Sequence, residues 1–334
     1  MHASIRLRWA ARSVLVLAAL LLAVPACSAH RSGSGAPYSA AGIRGTMVTS
    51  PRSALYVASP TGGPARPLLS PPEAARLGSE SDPAWSPDGQ QIAFAAGCAS
   101  CPTKLYVVSR NGNDLRKIPT GQGEVSSPGW SPDGHSIVFA RQQGDDQFLY
   151  SVDIRTDRIR LVNSEPPSAD NSDSTPAWSP GGRWIAFARE VHHEQVGLWE
   201  TLAAGGPPRR LTRPQPDEQI HPRWSPNGRR IVVMQAMPPL FTWDLFIFDV
   251  RTRAGRMLTT SPGNEYDPAW SPNGGYIVFA SDLGRQTGFR SLYVIKADGS
   301  GLRRLTATAQ DDSMPSWSPS GTQIVFVRRP TMRV

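Results

Sequence analysis

The chain of 334 residues carries 35 lysines and arginines against 27 aspartates and glutamates, a formal charge of +8. Its first 26 residues hold three arginines and no acid, so the remainder carries +5, an ordinary surplus for a protein near an anionic envelope. Many basic residues stand at predicted turns, among them Arg229, Arg230, Arg251, Arg253, Arg303 and Arg304. They are not gathered with aromatic residues in the sequence, which disfavours a nucleic-acid-binding protein.

Residues 1–26 have the pattern of an export signal. Arg6, Arg8 and Arg12 give a positively charged start, and Val14–Val24 is an apolar segment too short for a spanning helix. We therefore expect the rest of the chain on the extracytoplasmic side of the membrane.

The signal ends in Val24-Pro25-Ala26-Cys27, a small residue followed by a cysteine, as in lipoproteins. This order predicts lipidation at Cys27, which would anchor the protein to the cell membrane. Cleavage near Ala29 without lipidation, which would give a secreted protein, is the alternative. Residues 27–46 are rich in Ser, Gly and Ala without apolar periodicity, and they are predicted to form a flexible tether.

Residues 47–334 contain six copies of one sequence motif, Pro-x-Trp-Ser-Pro-x-Gly followed by an apolar run. Its tryptophans are Trp85, Trp130, Trp178, Trp224, Trp270 and Trp317, at steps of 45, 48, 46, 46 and 47 residues. A fixed period of this size is typical of repeat proteins in which one unit stacks on copies of itself.

Each repeat predicts four short antiparallel strands. The Ser-Pro-x-Gly core is turn chemistry, and the apolar runs after it lack alternation, as expected of strands covered on both faces. Four-stranded units of this length are propeller blades. The chain ends soon after the sixth inner strand pair, while Leu55–Ala58 and Arg66–Leu69 match the second half of a repeat. The prediction is an all-β, six-bladed propeller whose N-terminal outer strands complete the C-terminal blade.

The six motifs resemble the WD-like propeller repeats of TolB and its relatives, over about residues 47–330. The resemblance implies the fold and an association with the cell envelope, where TolB binds a peptidoglycan-associated lipoprotein. TolB carries an α/β domain before its propeller, and this chain has only the tether there, so the resemblance does not name a partner. Similar propellers precede the hydrolase domain of prolyl-oligopeptidase-like peptidases, but the Gly-x-Ser-x-Gly motif of such a domain is missing from this sequence.

Cys98 and Cys101 lie in the loop between the second and third strands of the first complete repeat. In an exported protein such a pair is expected to be oxidised. A redox-active Cys-x-x-Cys normally opens a helix, whereas this one lies in a β-loop, so the prediction is a small structural disulfide.

Acidic and amide residues recur where the inner strands are expected to enter the central channel. They are Glu80, Glu124, Asp173, Glu218, Gln219, Glu265 and Asp312. One hypothesis is a ring at the channel mouth that binds a cation such as Ca²⁺ or a basic segment of a partner. The alternative, which repetition alone favours, is that each side chain caps its local turn through backbone N–H groups. His221 stands where two other repeats carry Asp, and it is the histidine expected near the axis.

A second candidate site is the loop over residues 235–244. Met237, Leu240, Phe241 and Trp243 make this connection unusually apolar. They form a partner-binding patch if exposed, or a cap on the fourth blade if folded down. The adjacent His192 and His193 would point to opposite faces of a strand, so no metal site is predicted there.

The sequence therefore favours a non-catalytic, monomeric binding propeller that engages a protein or polysaccharide of the cell envelope. No nucleophile–base pair, phosphate loop or metal-ligand spacing supports catalysis. The alternative is a lyase or hydrolase of glycans with its site at the channel mouth, because propellers host both kinds of function.

Overall fold

The structure, a computed structural model, describes residues 52–98, 101–163, 171–191, 195–212, 218–237, 242–284, 289–307 and 309–330. Within these residues, 24 strands form six four-stranded antiparallel sheets, which are the blades of a propeller. The predicted fold class is confirmed. Residues 1–26, predicted to be a signal peptide, and residues 27–46, predicted to be a tether that begins at Cys27, lie outside the described residues.

The strands follow one another as inner, second, third and outer strand of each blade. Blades 1 to 3 contain β3 (Ser79–Trp85), β4 (Gln91–Gly97), β5 (Lys104–Ser109), β6 (Arg116–Ile118), β7 (Val125–Trp130), β8 (Ser136–Gln143), β9 (Asp146–Asp153), β10 (Ile159–Leu161), β11 (Asn171–Trp178), β12 (Trp184–Val191), β13 (Gln195–Leu202) and β14 (Arg209–Arg210). Blades 4 and 5 contain β15 (Gln219–Trp224), β16 (Arg230–Met237), β17 (Thr242–Asp249), β18 (Gly255–Met257), β19 (Glu265–Trp270), β20 (Tyr276–Ser281), β21 (Ser291–Lys296) and β22 (Arg303–Arg304).

Blade 6 joins the two ends of the chain. Its sheet order is outer strand β2 (Arg66–Pro67), third strand β1 (Ala54–Ala58), second strand β24 (Ile324–Arg329) and inner strand β23 (Asp311–Trp317). The predicted closure is therefore confirmed, and the ring leaves no open sheet edge at this junction. The sequence interpretation did not include the short helix α1 (Pro71–Leu77), which connects blade 6 to blade 1. Ser70 and Glu73 are hydrogen-bonded to each other at its start.

The Ser-Pro-x-Gly motif forms the turn between inner and second strands. In blade 1, Ser86 Oγ accepts a hydrogen bond from the Gln91 backbone N–H at 2.9 Å and contacts Asp88 Oδ1 at 2.5 Å. Gly89 adopts a φ of 67°, a left-handed conformation that a residue without Cβ tolerates well. The motif thus repeats because each blade needs the same tight turn.

The motif tryptophans pack between neighbouring blades. Trp130 is 8% exposed and belongs to one buried apolar cluster with residues of blade 1, among them Ala93 and Leu105. Its Nε1–H donates to the carbonyl oxygen of Ala84 at 3.2 Å. Burying one large apolar side chain stabilises the fold by roughly 1.5–3 kcal/mol, so repeated wedges of this kind hold the ring together.

Among the described residues there is no helix whose length and apolar character would suffice to cross a membrane.

Candidate functional site

The residue before each motif proline adopts an unusual backbone conformation. These residues have φ between 50° and 54°, and they are Asp82, Ser127, Thr175, His221, Asp267 and Met314. A positive φ is uncommon for residues other than glycine. At each of these positions the pairing of inner and second strands also shifts, as in a β-bulge. The bulge interrupts the alternation of side chains along each inner strand.

These left-handed residues form hydrogen bonds between neighbouring blades. The backbone N–H of Ser127 donates to Asp82 Oδ2 at 3.3 Å, and that of Met314 donates to Asp267 Oδ2 at 3.3 Å. The N–H of His221 donates to Thr175 Oγ1 at 3.2 Å. Several blades are therefore fixed to each other directly around the channel.

A histidine and an aspartate are in contact where blades 4 and 5 meet the channel. His221 Nδ1 is 3.1 Å from Asp267 Oδ1, and the two side chains are 20% and 11% exposed. Burial alone would raise the pKa of Asp267, but the contact with His221 and the charges of His221, Arg290 and Arg223 hold it below its ordinary value. Asp267 is therefore ionised in the channel at neutral pH.

Asp82 contributes a second carboxyl group from blade 1. Burial raises its pKa above the ordinary value, and the charge of His221 and the hydrogen bond from Ser127 partly oppose this rise. The neighbouring charge of Asp267 acts in the same direction as burial. The two carboxyl groups of the channel thus differ in their readiness to ionise.

Arg223 places a guanidinium group in the same channel. The equivalent position directly before the motif tryptophan holds a small residue in the other repeats, namely Ala84, Gly129, Ala177, Ala269 and Ser316. Arg223 Nη1 donates to the carbonyl oxygen of Pro222 at 2.9 Å. Burial lowers the pKa of Arg223, while the charges of Asp267 and Asp82 oppose that shift.

The channel encloses a cavity of about 260 Å³. It extends along the inner strands from the left-handed residues to the tryptophans that end those strands. Asp82, His221, Arg223, Asp267 and Met314 line it, together with motif prolines and tryptophans. The cavity lining therefore combines apolar proline and tryptophan side chains with two carboxyl groups, one imidazole and one guanidinium group.

A second ion pair lies beside the channel between blades 5 and 6. Arg290 Nε and Nη2 contact the Asp311 carboxylate at 2.9 and 2.7 Å, and the guanidinium lies 5.5 Å from the ring centre of Tyr266. Burial opposes ionisation of Asp311, but the bonds from Arg290 keep its pKa below the ordinary value. Burial and the charge of Asp282 raise the pKa of Tyr266 to about 12.

The structure buries most of the acidic and amide side chains that the sequence suggested for the channel mouth. Glu80, Asp173, Gln219, Glu265 and Asp312 are each at most 5% exposed. Their partners lie in the surrounding sheets, so their side chains are not presented to the channel as a ring. Glu124 is exposed and Glu218 is half-buried at the starts of their inner strands.

Two of these carboxylates form buried pairs with arginines of the second strand. Asp173 contacts Arg189 at 2.6 and 2.9 Å, and Asp312 contacts Arg328 at 2.6 and 2.8 Å. In the corresponding place of blade 4, Gln219 Nε2 donates to the side-chain oxygen of Gln235 at 3.0 Å. These contacts are formed within one blade.

Glu80 and Glu265, the buried glutamates of this set, have raised pKa values. Burial raises the pKa of Glu80 to about 7, against the hydrogen bond from the Leu55 N–H. Burial raises that of Glu265 to about 8, although hydrogen bonds from Ser261 and Thr259 oppose the shift. Glu80 accepts from a backbone N–H group of the neighbouring blade and not from its local turn, whereas Glu265 is bound by hydroxyl groups.

The cysteine pair and the apolar loop lie elsewhere on the blades. Cys98 and Cys101 form a disulfide after the second strand of blade 1. Trp243 is half-buried against the core shared by blades 4 and 5. Its backbone N–H donates to Asn264 Oδ1 at 3.0 Å. Leu240, Phe241 and the side chain of Met237 lie outside the described part of the chain.

His221 was expected near the axis from the sequence, whereas Asp82, Arg223 and Asp267 were not among the predicted site residues. The signal for the two aspartates was present, because they occupy the same repeat position as His221. Arg223 could have been found as the large charged residue at a position that is otherwise Ala, Gly or Ser.

Fold and channel together define a six-bladed β-propeller with a charged axial cavity. The family model described as the TolB beta propeller domain matches residues 73–236 and 175–333, and the chain belongs to this family. A search of the curated proteins found no match.

Solved structures share the fold at low sequence identity. The putative TolB from Agrobacterium tumefaciens has a TM-score of 0.69 at 21% identity, covering 85% of this chain and 100% of that one. TolB from Acinetobacter baumannii has a TM-score of 0.64 at 20% identity, with coverage of 80% and 66%. An oligogalacturonate lyase in complex with manganese has a TM-score of 0.56 at 12% identity, with coverage of 85% and 99%.

Proposed function

We propose that the protein is a non-catalytic binding propeller of the cell envelope. It is exported, anchored to the extracytoplasmic side of the membrane through lipid on Cys27, and acts as a monomer. Its partner is an envelope protein or polysaccharide that contacts the channel cavity. The family and the fold are compatible with such a scaffold role.

The proposal rests on the hydrogen bonding of the Arg223 guanidinium group. A guanidinium group has five N–H donors, and among the residues that the structure describes the Arg223 side chain forms one hydrogen bond, to the Pro222 carbonyl. Asp82 and Asp267 balance its charge from within the same cavity. A carboxylate, carbonyl or hydroxyl group of a partner that enters the cavity would accept from the remaining donors.

The residues around Arg223 are held in place by hydrogen bonds between blades, which favours binding. Interblade hydrogen bonds fix the left-handed residues, so the channel groups lie on a rigid frame. A rigid site loses little conformational freedom when a partner binds. Within the residues that the structure describes, no three His, Cys, Asp or Glu side chains are grouped so as to hold a metal ion.

The His221–Asp267 pair supports a second candidate function. A histidine held by a carboxylate is a common proton-transfer pair, and Arg223 could bind an acidic sugar beside it. This arrangement would suit a propeller lyase or hydrolase of glycans. The solved oligogalacturonate lyase shares the fold with this chain.

The test uses the full chain in the envelope of the expressing cell, with Arg223→Ala as the variant. Arg158→Ala is the matched control, because it removes an exposed arginine from a turn. After chemical cross-linking, a partner captured by wild type and the control but not by Arg223→Ala supports the proposal. A partner captured equally by all three would contradict a role of the channel.

The catalytic alternative requires a separate assay. Purified wild-type protein is incubated with acidic and neutral oligosaccharides, and chain length is followed by mass spectrometry. Cleavage that is lost in His221→Ala would replace the binding proposal with an enzymatic one. Lipid anchoring is tested by incorporation of labelled fatty acid, which should be absent in Cys27→Ser.

A further inference from the structure

In blades 1 to 5, two of the three turns lie at the same end of the propeller. The turn between inner and second strands and the turn between third and outer strands are joined by a backbone hydrogen bond. In blade 4, the N–H of Val250 donates to the carbonyl of Arg229 at 3.0 Å, and in blade 3 that of Ala203 donates to Arg183 at 2.9 Å. We call this end of the propeller the turn face.

Charge is distributed unevenly over the turn face. Between their strand ends, these two turns in blades 3 and 4 carry no carboxylate and four arginines, Arg183, Arg229, Arg251 and Arg253. Asp249, the last residue of β17, borders the second turn of blade 4. The same turns in blades 1 and 2 carry three arginines and four aspartates: Arg110, Arg155, Arg158, Asp88, Asp114, Asp133 and Asp157. Arg230, the first residue of β16, adds to the positive side. The antiparallel topology thus gathers arginines that are far apart in the sequence.

Four of these arginines are free to bind a ligand. Arg183, Arg229, Arg230 and Arg251 are exposed, and among the described residues their guanidinium groups have no hydrogen-bond or ion-pair partner. Asp249, at the end of β17, accepts hydrogen bonds from the turn that follows it, at 3.1 Å from Arg251 N and 2.8 Å from Thr252 N. These four arginines form what we call the cationic sector.

The cationic sector includes a depression and an aromatic ring. Gly228, Arg229, Asp249, Val250 and Arg251 line the depression, which lies between the two turns of blade 4. On blade 3, half-buried Trp184 lies beside two guanidinium groups, 5.5 Å from Arg183 and 4.4 Å from Arg209. Arg209 is neutralised by Glu200 at 2.6 Å.

We propose that the cationic sector binds an acidic glycan chain, whose carboxylate or phosphate groups pair with the guanidinium groups. Arginine suits both anions because its planar guanidinium group donates hydrogen bonds to two oxygens at once. The depression between Arg229 and Arg251 can receive single anionic groups, which a flat lipid surface cannot insert there. Trp184 offers an apolar edge to a sugar ring. The sector uses no channel residue, so it is independent of the function proposed above.

The test measures the affinity of the full chain for two probes by titration calorimetry. One is an oligogalacturonate, which carries carboxylates, and the other is a glycerol-phosphate oligomer, which carries phosphodiesters. The variant combines Arg183→Ala, Arg229→Ala, Arg230→Ala and Arg251→Ala. The matched control combines Arg66→Ala, Arg110→Ala, Arg155→Ala and Arg158→Ala, which removes the same charge from exposed positions of other blades.

We expect at least one probe to bind wild type, with affinity at least tenfold lower in the cationic-sector variant and within about twofold of wild type in the control. Affinity should fall as salt is added, because exposed charges are screened. The probe that binds more tightly identifies the anionic group. Thermal melting of both variants verifies that they are folded.

Three outcomes would overturn the proposal. One is equal loss of affinity in the variant and the control, which would indicate a response to net charge only. Another is the absence of binding to both probes. The third is tighter binding of a single-stranded DNA oligonucleotide or of anionic phospholipid vesicles than of either glycan, since the sector would then serve another class of partner.

Discussion

Glu80 Oε2 accepts a hydrogen bond from the backbone N–H of Leu55 at 2.7 Å, and this bond joins blade 1 to the N-terminal strand of blade 6. In blades 4 and 5 a threonine hydroxyl accepts from the equivalent leucine, at 2.9 Å between Leu245 and Thr259. Blade 6 has Leu69 at the position that holds Thr212, Thr259 and Thr306 in blades 3 to 5. A carboxyl group from the next blade therefore completes the junction at which the two ends of the chain meet.

The junction makes stability depend on pH. The folded-state pKa of Glu80, about 7, lies above its ordinary value of 4.5, so the folded protein holds this proton more tightly than the unfolded chain. The resulting stability is complete below pH 4.5 and is lost as pH rises through 7, a loss of about 3 kcal/mol at 1.4 kcal/mol per pKa unit. We expect Glu80→Gln, which stays neutral and can still accept from Leu55, to reduce this loss.

The measurement is thermal unfolding of wild type and Glu80→Gln at several pH values between 4.5 and 8.5. The exposed Glu124→Gln is the control and should follow wild type. Part of the pH dependence should persist in Glu80→Gln, because the pKa of Glu265 is raised to about 8. Identical pH profiles for wild type and Glu80→Gln would show that Glu80 does not titrate in this range.

The buried pair of Asp312 and Arg328 gives a prediction about stability. Arg328→Met should lower the free energy of unfolding by about 3–5 kcal/mol, because the buried Asp312 carboxylate loses its guanidinium partner. The double change Asp312→Leu with Arg328→Met should cost less, since no uncompensated charge remains. Urea unfolding at neutral pH compares the two. A double variant less stable than the single one would contradict this account.

Two tryptophans in equivalent positions differ in one hydrogen bond. Trp130 and Trp85 are both 8% exposed, but Trp130 Nε1–H donates to Ala84, whereas the buried Trp85 Nε1 has no partner in the described part of the chain. Phenylalanine removes the same ring area at both sites. Trp130→Phe should therefore cost about 1 kcal/mol more than Trp85→Phe in urea unfolding. Equal losses would mean that the hydrogen bond adds no net stability.

The sequence predicted the blades well because their signals are local. Turn residues and apolar runs recur with a fixed period, and the half-repeat around Leu55 indicated how the ring closes. The site was predicted less well because it depends on a bulge. Glu80 was expected at the channel on the basis of its place before the motif proline, but the left-handed Asp82 breaks the alternation and presents its own side chain instead.

The residue types at the bulge do not predict its positive φ. Asp and His are enriched at positive φ, but Thr and Met at the same repeat position are not. The cationic sector was hidden for a different reason. Arg183 and Arg251 are 68 residues apart in the sequence, and the two-ended topology of the blades, not their spacing, brings them to one face.

Thr175 offers a direct test of how the positive φ at the residues before the motif prolines affects stability. It is β-branched and has a φ of 51°, a conformation that costs of order 1 kcal/mol or more for such a residue. Its hydroxyl accepts from the His221 N–H at 3.2 Å. Asparagine tolerates this conformation and keeps an acceptor, so Thr175→Asn should raise the free energy of unfolding by up to about 1 kcal/mol.

Thr175→Val is the matched control for that change. Valine keeps the branched side chain at positive φ but cannot accept the hydrogen bond, so it should destabilise the protein by about 1–3 kcal/mol by leaving the His221 N–H unsatisfied. Urea unfolding of both variants gives the comparison. If Thr175→Asn were as destabilising as Thr175→Val, then packing in the channel, and not backbone strain or the hydrogen bond, would decide the residue at this position.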